Sequence, residues 1–327
     1  MSSPSEMRAP APDSSPGACC GAARGHAAPS RARDGRLDSM ARIPGGAFRM
    51  GSDQFYREER PARPASVEAF WIDIYPVTNR EFRRFVEATG YRTLAERTPD
   101  AALYPDADPL LLVPGSLVFR KPARPVSLRD YRAWWAYVPG ASWQRPEGPE
   151  SDLDGRDAHP VVHVSHEDAL AYAGWAGKAL PTEAEWERAA RGGLDGASYA
   201  WGDEPSPGGQ SMANIWLGRF PWESEKPGGA AGTTEVGSFP PNGYGLYDVA
   251  GNVWEWTTSP FEAGPTEGSS RSCCAPPVAE ASARRVVKGG SYLCAPNYCL
   301  RYRPAARQGQ TIDTSTHHLG FRCVVRA

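Results

Sequence analysis

The chain has 327 residues, with 36 Lys plus Arg against 38 Asp plus Glu and a net charge of −2. It lacks the basic stripe that a nucleic-acid or acidic-membrane partner would need, and it has no run of about 18 apolar residues to span a membrane. With 34 Gly, 32 Pro, 11 Trp, 13 Tyr and 10 Phe, the composition points to a loop-rich fold pinned by large aromatic side chains.

Residues 1–38 are rich in Ala, Pro, Ser, Gly and Arg without a hydrophobic period, and read as a disordered tail. They contain no apolar signal-peptide core, so the expected location is cytoplasmic and the expected domain runs over 39–327. Short strands are expected over 41–51 and 66–75. Three capping boxes predict helices: Thr78 with Glu81, Ser165 with Asp168, and Thr182 with Glu185, closed by Gly90, Gly177 and Gly192-Gly193. Further strands are expected at 161–164, 234–239, 285–288 and 320–325. Helices early and strands late, without regular alternation, predict an α+β fold.

The densest chemistry lies in Gly289-Gly-Ser-Tyr-Leu-Cys294-Ala-Pro-Asn-Tyr-Cys299. Pro296 opposes a regular helix, so the segment is expected to fold back and bring the two sulfurs together. Arg301, Arg303 and Arg307 follow, and positive charge favours thiolates. Two thiolates without histidine suit a soft ion such as Cu(I), whereas structural zinc asks for four ligands. Spacing alone leaves a disulfide or two unrelated thiols open. The spacing of His159, His163 and His166 invites a metal, but in a strand the third points away from the other two, so structural histidines are expected.

The surrounding sequence resembles the formylglycine-generating enzyme, or sulfatase-modifying factor, family from about Arg42 to Arg326. The resemblance is carried by Ile43-Pro-Gly-Gly-Ala-Phe-Arg-Met-Gly51, Pro76-Val-Thr-Asn79, Leu180-Pro-Thr-Glu-Ala-Glu-Trp-Glu187, Gly251-Asn-Val-Trp-Glu-Trp256, Gly289-Gly-Ser-Tyr292 and Leu319-Gly-Phe-Arg-Cys323. Most of these mark the fold, which non-catalytic relatives share. The Cys294/Cys299 pair marks the catalytic type.

The resemblance implies a C-type-lectin-like, sparsely regular α+β domain. It also implies oxidation by O2 of the cysteine in an unfolded sulfatase segment, Cys-x-Pro-x-Arg, to Cα-formylglycine, with a thiol reductant. Cys294 and Cys299 would hold Cu(I), Ser291 would stand at the oxygen pocket, and Tyr298 and His318 would face the peptide. Calcium is implied at Asp248, Gly251, Val253 and Glu255. A second calcium is implied at Asn214 and Ile215, although its acidic partner would fall near Gly228, where no carboxylate stands. Relatives pair the cysteine matching Cys323 with one at Ala173; that partner and the one matching Ala190 are absent, which suits a reducing compartment. Cys323 is then expected to be a buried apolar residue. Cys273-Cys274 read as loop thiols, and Cys19-Cys20 carry no readable role. The alternative function is a non-catalytic binding module on the same fold. An iron-dependent sulfoxide synthase would need an extra helical domain.

Overall fold

The computed structural model describes residues 37–262 and 283–326; the expected tail, Cys19-Cys20 and Cys273-Cys274 lie outside these. Among the described residues, strands β1 (Met40–Ile43), β2 (Gly46–Met50), β3 (Arg63–Val67) and β4 (Phe70–Asp73) precede helix α1 (Asn79–Thr89). The hairpin β5 (Gly115–Phe119) and β6 (Trp135–Pro139) leads to α2 (His166–Trp175) and α3 (Glu183–Ala190). Then come β7 (Trp254–Pro260), β8 (Arg284–Lys288), β9 (Arg307–Thr311), β10 (Leu319–Gly320) and β11 (Val324–Arg326). One sheet has the order β1-β4-β11 and another β10-β7-β8-β9; β2-β3 and β5-β6 form two-stranded sheets. The fold is α+β and most of the chain is loop. No helix among the described residues is long and apolar enough to cross a membrane.

All three capping boxes form, each hydroxyl accepting the backbone N–H three residues on. Gly90 ends α1 in the left-handed region at φ 67°. The inner face of α1 buries Phe82 and Phe85. Phe82 meets Trp143 edge-on at 5.2 Å, stacks on Tyr172 at 5.9 Å and touches Phe321 at 6.4 Å. These rings tie helices, loop and last strand into one core, as the aromatic composition leads one to expect. Cys323 sits in that core fully buried beside Ala173, and burial pushes its thiol pKa up.

The expected strands at 161–164 and 234–239 are not strands. His163 has φ 59°, which reverses the chain, and its N–H donates to the Thr316 carbonyl at 3.0 Å. The three histidines therefore do not share a strand. Each bonds separately: His159 to Thr233 Oγ1, His163 to Ser116 Oγ and the Pro146 carbonyl, His166 to the Thr257 carbonyl. In 234–239, Gly237 turns at φ 79°, and the Asn252 side chain, not a neighbouring strand, satisfies Thr234.

Buried ion pairs replace much of the missing sheet. Arg322 grips both oxygens of Glu255 at 2.7 Å, and Trp186 Nε1 adds a bond at 2.6 Å. The same guanidinium donates to the carbonyls of Asp73, Ile74 and Tyr247, joining the two larger sheets. Replacing Arg322 by Met should cost about 3–5 kcal/mol, because Glu255 is left charged and unpaired in the core. Urea unfolding reads this, and the Arg322→Met/Glu255→Gln double variant should recover part of the loss.

Candidate active site

The segment after β8 makes a close turn. Gly290 lies at φ 70°, and a Cβ there would stand 2.8 Å from the Arg301 carbonyl oxygen. The turn continues as Cys294 N–H donates to Ser291 O at 2.9 Å and Cys299 N–H to Ala295 O at 2.7 Å. Pro296 opens this last turn, where its missing N–H costs nothing. The result places Cys294 Sγ 3.2 Å from Cys299 Sγ. A disulfide would close to about 2.05 Å, and both thiols are free.

A hydrogen bond links the two sulfurs. The hydrogen bond with Cys294, aided by Arg301, lowers the Cys299 pKa to about 6 against the opposing effect of burial. Burial, and the hydrogen bond to its neighbour, push Cys294 well above the usual thiol range. Arg301 Nη1 is 3.9 Å from Cys299 Sγ. Arg301 lies 3.9 Å over the Tyr56 ring and pairs with Glu58 at 2.5 Å. The adjoining Arg303 pairs with Glu59 at 2.5 Å, both fully buried. Tyr56 also accepts the Leu300 N–H at 2.9 Å. The Phe55–Glu59 segment thus clamps the turn that carries Cys299.

Both cysteines line a cleft of about 510 Å³. Ser291, Tyr298 and His318 line it too, so the structure brings together all five expected active-site residues. Ser291 Oγ is 2.9 Å from His318 Nδ1 and accepts the Leu293 N–H at 3.3 Å. Burial, with His317 adding repulsion, pushes the His318 pKa down to about 3, so its ring is neutral. Tyr298 is 41 % exposed and stacks on Phe220 at 4.4 Å. Trp134, Trp135 and Phe220, which the sequence reading passed over, build one wall. The aromatic run Tyr131-Arg-Ala-Trp-Trp135 was the available signal. The donor set suits a soft monovalent ion: two sulfurs, one a thiolate, facing open space, and no group of three or more His, Cys, Asp or Glu among the described residues for a harder metal.

The implied calcium donors divide. Asp248 is buried and accepts from the Gly237 N–H at 2.8 Å and Asn252 Nδ2 at 3.4 Å. Burial pushes its pKa up, and it forms no ion pair among the described residues, so of the implied donors it is the carboxylate that a hard cation would use. Glu255 is paired with Arg322 and also accepts the Trp186 Nε1–H. The Asn214 and Ile215 position does not fit: Lys226 Nζ donates to Asn214 Oδ1 and occupies the place of the cation. Burial lowers the Lys226 pKa to about 8.

The site thus consists of two free cysteines, hydrogen-bonded to each other in an aromatic-walled cleft, on a loop-rich α+β domain. The profile of the sulfatase-modifying factor enzyme 1-like domain matches residues 25–327, and the chain belongs to that family. A formylglycine-generating enzyme of Mycobacterium tuberculosis is 54% identical over 293 residues, covering 88% of this chain and 98% of that protein. One from Thermomonospora curvata is 48% identical over 301 residues, covering 90% and 96%. PvdO from Pseudomonas aeruginosa has a similar structure, with TM-score 0.54 and 22% identity over 87% of this chain and 93% of that one, which speaks to fold alone.

In metal-free protein, alkylation of Cys299 by iodoacetamide should rise through pH of about 6, well below the ordinary thiol value of about 8.5. Arg301→Ala should move that midpoint upward; mass mapping of the labelled cysteine over pH checks both.

Proposed function

We propose that the chain oxidises the cysteine of a Cys-x-Pro-x-Arg segment in an unfolded sulfatase to Cα-formylglycine, with O2 as oxidant and Cu(I) held by Cys294 and Cys299. The observation that carries this reading is the free sulfur pair, 3.2 Å apart and open to the cleft. The names of the relatives supply the product and the family supplies the client class.

The balance is as follows. The substrate CH2–SH loses two hydrogens to become a thioaldehyde, which water hydrolyses to the aldehyde and H2S. Dioxygen takes those two hydrogens and two more from a thiol reductant, and leaves as two waters. Copper, when bound, supplies the one-electron step that triplet oxygen needs to attack a closed-shell thiol.

The chain's own groups do the rest. Cys299 is held as a thiolate by the hydrogen bond with Cys294 and by Arg301, so the pair is ready to bind a soft ion. Trp134, Phe220 and Tyr298 offer an apolar wall to the peptide and keep water from it. Ser291 holds His318 through its hydroxyl and donates its backbone N–H to Cys294 Sγ at 3.5 Å. Calcium is proposed beside Asp248, with the carbonyls of Gly251 and Val253, as a structural ion. Free thiols at Cys294, Cys299 and Cys323 support work in a reducing compartment such as the cytoplasm. A non-catalytic binding module on this fold would have no use for a hydrogen-bonded thiol pair in its groove.

Protein loaded with Cu(I) should convert a Cys-x-Pro-x-Arg peptide to an aldehyde in air with a thiol reductant, read by mass spectrometry with hydrazide capture. Unmodified peptide after full loading would refute the activity. Cys294→Ser and Cys299→Ser should each abolish conversion while melting near the parent; conversion at the parent rate in either would refute the ligand assignment.

A further inference from the structure

The loop around Asn214 is built about a cation, and that cation belongs to the chain. Asn214 is almost fully buried. Its carbonyl accepts the Asn252 N–H at 2.8 Å, and its Nδ2 donates to the Gly232 carbonyl at 3.1 Å and to Asn252 Oδ1 at 3.2 Å. Only Oδ1 is left to face a positive charge, and Lys226 Nζ donates to it. No carboxylate pairs with Lys226 among the described residues, and the stretch Lys226-Pro-Gly-Gly-Ala230 offers none.

A calcium ion asks for about six to eight oxygens, usually with carboxylate charge among them. An ammonium asks only for oxygen acceptors at its three N–H groups. The donors present meet the second demand, and a divalent ion at Asn214 Oδ1 would collide with Nζ and be repelled by its charge. We propose that the Lys226 ammonium is the resident cation of this loop, and that Asn214 and Ile215 bind no calcium in this protein.

The consequence reaches the active site. Trp216, two residues after Asn214, donates its N–H to the Cys294 carbonyl at 2.8 Å. Asn252, bonded to Asn214, accepts the Tyr292 N–H at 3.0 Å through its carbonyl. The cysteine segment is therefore braced on this side by a lysine, and the brace does not depend on the calcium supply.

The test uses the Asp248→Gly protein, which removes the side-chain oxygens of the other calcium position at a residue whose φ of 54° glycine adopts freely, with calcium chloride and EGTA as the only additives. Calorimetric titration should show no saturable calcium binding, and melting should agree within about 1 °C in the two conditions. In the same background, Lys226→Met should lower the melting temperature by several degrees in EGTA, since Asn214 Oδ1 loses its donor. Lys226→Ser with Gly228→Asp should convert the loop into a calcium site, with calcium raising the melting temperature. Gly228 has φ 66° and open space where a Cβ would go, and aspartate tolerates that conformation. Stoichiometric calcium binding by the Asp248→Gly protein overturns the proposal, as does a Lys226→Met variant that melts like its parent. A swapped variant indifferent to calcium also counts against it. None of these readouts involves peptide oxidation, so they stand or fall apart from the enzymatic reading.

Discussion

The active-site turn depends on arginine–glutamate pairs made before any metal or substrate arrives. Residues 289–303 form no strand after β8, so sheet hydrogen bonds do not hold them. Their shape comes from Arg303 buried against Glu59, from Arg301 against Glu58, and from Leu300 N–H on the Tyr56 hydroxyl. A fully buried pair is costly to form and costlier to break, because either partner alone is an uncompensated charge. That asymmetry makes the clamp a strong constraint on geometry even where its net stabilisation is small. It fixes the Cys299 side of the turn, while Trp216 and Asn252 fix the Cys294 side through backbone hydrogen bonds.

The same economy of side chain for backbone runs through the rest of the domain. A loop-rich interior must satisfy every buried N–H and C=O without ladders. Here side chains do it: Asn252 serves the backbone N–H and C=O of Thr234, Asn242 reaches the end of α3, and Arg322 collects three carbonyls. Aromatic rings then fill the volume between these polar nodes, which is why the core consists of Trp, Phe and Tyr contacts across distant segments. Rigid loops made in this way can carry a cleft, since the lining does not have to be paid out from sheet or helix surfaces.

What was legible in the sequence follows the range of the forces involved. The capping boxes at Thr78, Ser165 and Thr182 act within four residues, and all three form. Apolar stretches at 161–164 and 234–239 suggested strands, but strand identity needs a partner at the right register. Here His163 turns away, and Asn252 competes for Thr234. The run Tyr131-Arg-Ala-Trp-Trp135 marked half of the aromatic wall, but Phe220 comes from a distant loop and meets Trp134 only in three dimensions.

The order and spacing of residues alone determined the helices, the α+β character, the family and the turn that pairs the two cysteines, because each rests on local patterns or on a linear motif. Tertiary structure alone decided that the sulfurs stand 3.2 Å apart, that Glu255 pairs with Arg322, and that Lys226 bonds Asn214. These are distances between groups far apart in the chain. Electrostatic and hydrogen-bond energies depend on such distances and on burial, neither of which a linear pattern records.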